Sequence, residues 1–195
     1  ATATAITGLT NSGNVTSGNI AAVMGCNFSA FTNQLSGVDV SDVRWSFTGN
    51  AGLSNSLSDA LIHTSANALE TTINTISVEE KVNAVFVDDD LGRFVSDGTG
   101  RLTYIGEVGT RLPIDVTATV LAASGADKQV VLCIAINGVV ETATCAQETA
   151  SSSKAATIAT IWQYNFVQND YIEIFVSNET DTTNLIVTQA IERVN

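Results

Sequence analysis

The chain has 195 residues and a mass of 20.4 kDa, enough for one domain of ordinary size with a buried core. Hydrophobic residues make up 45% and charged residues 14%, so neutral Ser, Thr, Asn and Gly must cover much of the surface. Eight Lys and Arg stand against twenty Asp and Glu, the net charge is −12, and no basic residue precedes Arg44. This balance excludes a nucleic-acid partner, because a surface that follows phosphates needs clustered Lys and Arg.

Neither a membrane span nor a signal peptide is predicted. No stretch reaches the roughly 18 to 20 continuous apolar residues of a membrane-spanning helix, and the N-terminus lacks a basic start followed by an apolar run. We therefore expect no membrane partner. The three cysteines, Cys26, Cys133 and Cys145, have no metal-like spacing. We expect them to be reduced, mostly buried thiols in a protein made in a reducing compartment.

Residues 1–75 are predicted to be an N-terminal extended arm or a small mixed segment. Residues 1–18 are rich in Thr, Ser, Asn and Gly and contain few large apolar side chains, which predicts a flexible arm. We expect this arm to contain the anchor to a partner surface.

The rest of this N-terminal part gives weaker patterns. Large apolar side chains recur at helical spacing from Ile20 to Leu35, which predicts a helix, with extended structure as the alternative because of Gly25 and Asn27. Residues 43–47 predict a strand. A second helical face is indicated by these leucines: Leu53, Leu57 and Leu61.

Residues 76–195 are predicted to form an all-β domain. Apolar and polar residues alternate from Leu112 to Val120, a pattern typical of a half-buried strand. Asn137 and Gly138 predict a tight hairpin turn. The other predicted strands are 77–87, 101–105, 129–136, 156–167, 171–176 and 184–194. About eight strands without a long helix indicate an antiparallel β-sandwich or jelly roll.

Candidate chemical residues are few. The single histidine, His63, excludes sites that need two histidines, and we interpret it as structural. The run from Asp88 to Asp90 is interpreted as a solvated loop, since adjacent Asp side chains diverge and lack the spacing of a calcium loop. The segment from Asp97 to Gly100 is interpreted as a turn. We therefore expect no enzymatic activity, no catalytic or metal-binding residues and no cofactor.

The aromatic residues have two interpretations. They are either a platform on which a host-surface glycan stacks or part of the core, and core packing is favoured because Trp162 and Tyr164 share a strand face with Ile158 and Phe166. The residues considered are Trp45, Tyr104, Trp162, Tyr164 and Tyr171.

Four segments together resemble a known family. They are residues 97–106 (DGTGRLTYIG), 134–138 (IAING), 169–174 (NDYIEI), and Asn178 followed by a closing strand. In this order they resemble the TNF-like jelly-roll module of bacteriophage virion proteins, which occurs in head and tail fibres and in capsid decoration (cement) proteins. The resemblance covers residues 76–195.

The resemblance implies a homotrimer around a threefold axis, with the final strand in the inner sheet near that axis. It implies no catalytic residues. The function we expect is capsid decoration: a protein made in the host cytoplasm that binds the major capsid protein on the outer capsid surface of the virion and stabilises the phage head. Two alternatives remain, namely a receptor-binding tip of a head or tail fibre and a small-molecule-binding β-barrel.

Overall fold

The computed structural model describes residues 59–106 and 109–195 and, upstream of them, the backbone of four short strands. These four strands are β1 (Thr7–Thr10), β2 (Ala21–Met24), β3 (Asn33–Ser36) and β4 (Trp45–Thr48). Strand β1 pairs with β3 and β2 pairs with β4, both in parallel. The strand predicted at residues 43–47 is confirmed over its described part.

The helix predicted between Ile20 and Leu35 is wrong in its described residues, because Ala21–Met24 and Asn33–Ser36 are strands. Gly25 and Asn27 are poor helix formers, and they divide the helical pattern into two short pieces. Of the predicted leucine face, Leu61 lies in a strand, and Leu53 and Leu57 lie outside the described residues. So does most of the predicted arm.

The remaining strands form an antiparallel β-sandwich. They are β5 (Ala60–Thr64), β6 (Glu80–Lys81), β7 (Val87–Asp90), β8 (Phe94–Ser96), β9 (Arg101–Tyr104), β10 (Thr110–Ala122), β11 (Lys128–Ile136), β12 (Val139–Val140), β13 (Ala146–Ala150), β14 (Ala156–Phe166), β15 (Tyr171–Asn178) and β16 (Leu185–Val194). One 3-10 turn, Thr142–Thr144, precedes β13. Among the described residues, no helix is long and apolar enough to cross a membrane.

Two sheets face each other. The five-stranded sheet has the order β14, β10, β16, β5, β7, and the seven-stranded sheet has the order β12, β11, β15, β9, β8, with β13 added on β11 and β6 on β15. From β9 onward each long strand lies in the sheet opposite to the one before it, so partners are distant in sequence. This is the arrangement of a jelly roll, as predicted.

The sandwich also includes residues that the sequence pattern assigned to the N-terminal segment. Strand β5 pairs with β16 and with β7, and Thr71 forms a bridge with Leu185. The five-stranded sheet therefore begins at Ala60, upstream of the expected boundary at residue 76.

The predicted alternation is confirmed on β10. Its inward residues, which all lie in the core, are Leu112, Ile114, Val116, Ala118 and Val120. The predicted turn at Asn137 and Gly138 is also confirmed, since their φ angles are 53° and 76° and the turn joins β11 to β12.

Three aromatic rings lie between the sheets at one place in the core. The ring centroids of Phe94 and Tyr104 are 5.3 Å apart, those of Phe94 and Phe166 5.3 Å, and those of Tyr104 and Phe166 5.8 Å. Such tilted and edge-on contacts add to the stability that burial provides. Tyr104 is thus a core residue and not part of a glycan platform.

Two predicted segments differ from the structure. In the strand expected at residues 77–87 only Glu80–Lys81 and Val87, the first residue of β7, are paired as strand residues, although Val82 and Phe86 donate single backbone hydrogen bonds to Ile174 and Gly98, each 2.9 Å long. The loop expected at Asp88–Asp90 is part of strand β7, which pairs with β5. An edge strand tolerates three carboxylates because they point into solvent and discourage pairing with another chain.

Strand β16 contains a bulge. Thr119 of β10 pairs with Gln189 while the next residue, Val120, pairs with Val187, so Thr188 is the extra residue. Asn67, which follows β5, bonds to the bulged strand: its backbone N–H donates to the Thr188 carbonyl (3.1 Å) and its side-chain amide to the Val187 carbonyl (2.9 Å). The bulge changes which residues of β16 face the core.

The expectation of three reduced thiols is wrong for two of them. Cys133 on β11 and Cys145 after the 3-10 turn form a disulfide, and their Cα atoms are 4.3 Å apart. Spacing alone did not show this pairing, because the turn at residues 137–138 is what folds the chain back. Cys26 lies outside the described residues.

Replacement of one disulfide partner tests this bond. We predict that Cys145→Ser lowers the free energy of unfolding by about 3 kcal/mol, since a cross-link that closes a loop of this size restricts the unfolded chain by about that amount. Denaturant unfolding under oxidising conditions measures it. Cys26→Ser is the matched control and should leave the stability difference between oxidised and reduced protein unchanged. Equal stability of Cys145→Ser and Cys26→Ser contradicts the disulfide.

Candidate assembly surface

The outward side of the five-stranded sheet is the candidate functional surface. Here the strand registers place side chains in rows that cross β5, β16, β10 and β14. One row consists of His63, Ile191, Thr117 and Ala159. The next consists of Leu61, Arg193, Asp115 and Ile161, and a third of Gln189, Thr119 and Thr157. We call these three rows the outer sheet face.

Apolar and small hydroxyl side chains dominate the outer sheet face. Ile161 is 73% exposed and Ile191 is 49% exposed. The hydroxyl groups of Thr119 and Thr157 are 3.3 Å apart. The only fully charged residues in the three rows are Asp115 and Arg193, which are cross-strand neighbours. An exposed sheet face of this kind is typical of a surface that another protein covers.

A groove crosses the part of this face formed by β5, β16 and β10. Its volume is about 370 Å³, and its lining includes Leu61, Thr117 and Ile191. At its edge His63 Nδ1 lies 2.5 Å from a carboxylate oxygen of Asp89 on β7. His63 is thus paired with a carboxylate at the protein surface.

The outward side of the seven-stranded sheet differs from the outer sheet face, because charged residues occupy it and bind one another. The Glu173 carboxylate, 3% exposed, accepts hydrogen bonds from Lys81 Nζ at 2.8 Å and from Arg101 Nε at 2.9 Å. The Arg101 guanidinium also lies 4.2 Å from the centroid of the Tyr171 ring. Its hydrogen bond to Glu173 raises the pKa of Arg101. These charged groups already have partners within the chain. This side of the sandwich is therefore a less suitable surface for association than the outer sheet face.

Two acidic side chains away from the outer sheet face, Asp97 and Glu79, lie close to other groups of the chain. Asp97 accepts hydrogen bonds from the Thr99 backbone (2.7 Å) and the Arg101 backbone (3.2 Å), which confirms the predicted turn between β8 and β9. Glu79 lies near both sulfur atoms of the disulfide, within 4.8 Å. Since those sulfur atoms are bonded to each other, they do not offer thiolates to a metal.

The aromatic side chains between residues 59 and 195 that the structure describes do not form one exposed platform. Trp162 and Tyr164 are partly buried against the core, in agreement with the favoured interpretation. One face of the Tyr171 ring is covered by Arg101. Trp45 belongs to β4, of which the structure describes the backbone only.

One acidic residue faces the core directly behind the outer sheet face. Glu192 on β16 is 1% exposed, and neither carboxyl oxygen has a hydrogen-bond partner. Its cross-strand neighbours are Ile62 on β5 and Val116 on β10. Burial raises the pKa of the Glu192 carboxyl well above its ordinary value of 4.5, and the negative charge of Glu173 acts in the same direction.

Ile161, Ile191 and Glu192 were not identified as candidates from the sequence. Only the position of Ile161 could have been recognised from the alternation pattern. Ile161 is apolar at a position where the alternation on β14 expects an outward polar residue. On β16 the bulge hides the signal, since uninterrupted alternation from Leu185 assigns Ile191 to the core and Glu192 to solvent.

No family model and no curated protein matches the sequence. Several solved structures align with it at low identity. Murine APRIL at pH 5.0 is 9% identical with a TM-score of 0.45, and the alignment covers 70% of this chain and 98% of APRIL. The vertex protein P5 of PRD1 is 13% identical with a TM-score of 0.44, covering 70% and 95% of the two chains.

Eiger TNF from S. frugiperda is 13% identical with a TM-score of 0.43, and the alignment covers 71% of this chain and 93% of that one. These structural neighbours are TNF-like proteins and a vertex protein, at low identity throughout. The jelly-roll assignment of the present chain itself rests on its strand order and registers.

Proposed function

We propose that this protein is a non-enzymatic virion structural protein that decorates the head of a bacteriophage as a homotrimer. The observation that carries the proposal is the outer sheet face: a surface in which apolar and hydroxyl side chains dominate, with one pair of opposite charges, Asp115 and Arg193, centred on the final strand of the jelly roll. The family resemblance in the sequence implies that this strand lies near a threefold axis. Association of three copies covers Ile161 and Ile191, which water otherwise contacts.

A cyclic trimer needs two different patches on each copy that fit each other. In a closed ring of three, each copy presents one patch to one neighbour and a second patch to the other. The outer sheet face offers a projecting side chain, Ile161, at the β14 edge, and a groove beside Ile191 two strands away. These features suit a head-to-tail contact around the axis.

Decoration requires no chemistry, only binding to the assembled shell. A trimer that binds several capsid subunits in the assembled shell but not the separate subunits stabilises the shell by mass action. Three copies of the same anchor act together, so each contact with the major capsid protein is allowed to be weak. The net charge of −12 keeps the trimer away from DNA and limits its aggregation.

The copy number in purified particles tests the role in the virion. We expect hundreds of copies in a fixed ratio to the major capsid protein, measured by quantitative mass spectrometry. A few copies, or a few dozen, indicate instead the fibre tip that binds a host receptor. Absence of the chain from particles overturns the proposal.

A charge on the outer sheet face tests self-association. We predict that Ile191→Asp weakens association of copies by about tenfold or more, because a buried carboxylate at a central interface position is costly. Sedimentation velocity over a range of protein concentrations measures this. The control is Val139→Asp, which places the same charge at a 67% exposed valine on the hairpin of the other sheet.

The two variants should therefore differ in association and agree in fold. Circular dichroism and denaturant unfolding of the dilute protein establish that both are folded. Equal association of Ile191→Asp, Val139→Asp and the unchanged protein contradicts an interface on this face.

Removal of the N-terminal arm tests the anchor to the capsid. We predict that deletion of residues 1–18 abolishes co-sedimentation with undecorated heads while the trimer stays intact, since the sandwich from Ala60 onward carries the outer sheet face. The undeleted protein is the positive control. Full binding by the deleted chain shows that the anchor lies elsewhere.

A further inference from the structure

We propose that protonation of the Glu192 carboxyl controls the packing of β16 and, through this strand, the association of copies on the outer sheet face. Association is then strongest in mild acid and weakens as the pH rises. The inference about association rests on the proposed function, whereas the effect on folding does not. It assigns a role to the one described carboxyl group that the sandwich buries without a hydrogen-bond partner.

The first step is the state of the buried group. Glu192 is 1% exposed, and both of its oxygens lack a hydrogen-bond partner. An ionised carboxylate without partners is far more costly in an apolar core than the neutral acid. The folded arrangement therefore favours the protonated form.

The second step is the set of groups around it. On the adjacent strands the opposite residues are apolar: Ile62 on β5 and Val116 on β10. The charged groups that act on Glu192 belong to the other side of the sandwich. Glu173 and Asp97 oppose its ionisation, while Lys81 favours it. Lys81 is already bound to Glu173 at 2.8 Å, so its charge is largely compensated. Of the charged groups that act on Glu192, Lys81 alone favours its ionisation, and burial together with the two carboxylates outweighs this effect.

The third step connects this carboxyl to the assembly surface. Glu192 lies between Ile191 and Arg193 on the central strand of the five-stranded sheet, and these two neighbours point outward, into the groove. The alternation of a strand couples the two sides, because a change that draws Glu192 toward solvent moves its neighbours as well. Ionisation of the carboxyl is therefore expected to disturb the surface on which copies meet.

The sign of the pH effect follows from the direction of the pKa change. In the unfolded chain Glu192 releases its proton near the ordinary value of 4.5, but in the folded chain it retains the proton to a higher pH. Between these two values the folded state binds one more proton than the unfolded state. Stability is therefore greatest below pH 4.5 for this group and declines as the pH rises toward the raised value.

Two variants isolate this group. Glu192→Gln keeps the shape and removes the titration, and Glu192→Met fills the same space with an apolar side chain in case the amide is poorly accommodated. The matched control is Glu148→Gln, which removes one negative charge from an exposed position on β13. All variants retain the full chain.

The first measurement is denaturant unfolding of dilute protein from about pH 5 to about pH 9. For the unchanged protein and Glu148→Gln we expect the unfolding equilibrium constant to rise by up to about tenfold per pH unit within the window above pH 4.5. Both Glu192 variants should lose this rise and be more stable than the unchanged protein at neutral pH. The same pH slope in all proteins overturns the proposal, whatever their oligomeric state.

The second measurement is sedimentation velocity over the same pH range. We expect the unchanged protein and Glu148→Gln to dissociate as the pH rises and the Glu192 variants to stay associated. Dissociation of all four at the same pH overturns the coupling between Glu192 and assembly. A monomer at every pH overturns the proposed self-association, and the unfolding data then report separately on the buried acid.

Discussion

The bulge at Thr188 is the constraint on which both sides of the five-stranded sheet depend. A strand has a side-chain period of two, so one extra residue exchanges the inward and outward sets beyond it. Beyond this bulge Ala190, Glu192 and Val194 face the core, and Ile191 faces outward. The bulge is held by Asn67, whose backbone and side-chain amides donate to the carbonyls of Thr188 itself and of Val187 before it. Asn67, which follows β5, thus helps to hold the orientation of the side chains in the second half of β16.

The outward sides of the two sheets differ in their charged residues. The outward side of the seven-stranded sheet carries the Glu173, Lys81 and Arg101 contacts, in which one carboxylate binds two cations within the chain. The five-stranded sheet instead presents rows made mainly of threonine, alanine, leucine and isoleucine, with Asp115 and Arg193 as neighbours of opposite charge. This difference fits the low content of charged residues, because a chain with 14% charged residues does not have enough of them to cover its whole surface. The apolar side chains of this face, such as Ile161 and Ile191, are costly to expose to water and inexpensive to cover with another copy.

Much of the fold was predictable because its signals are local. Alternation from Leu112 to Val120 and the pair Asn137 and Gly138 identify a strand and a turn within a few residues, and the structure confirms both. Two of the predictions that were wrong concern features decided by residues distant in sequence. The carboxylates of Asp88–Asp90 occupy an edge strand because β5 offers a pairing partner, and Cys133 meets Cys145 because a hairpin and a 3-10 turn bring them together.

The sequence by itself determined the β character of the chain, the positions of most strands of the sandwich, the turn residues and the acidic charge. Each of these follows from side-chain period, backbone preference or simple composition. The tertiary structure alone decided which strands are neighbours and which way the second half of β16 faces. Strand β5 meets β16 across more than half of the chain, and the register of that contact depends on an extra residue that alternation does not reveal. For this reason the candidate surface around Ile191 and the buried carboxyl of Glu192 emerge only from the folded molecule.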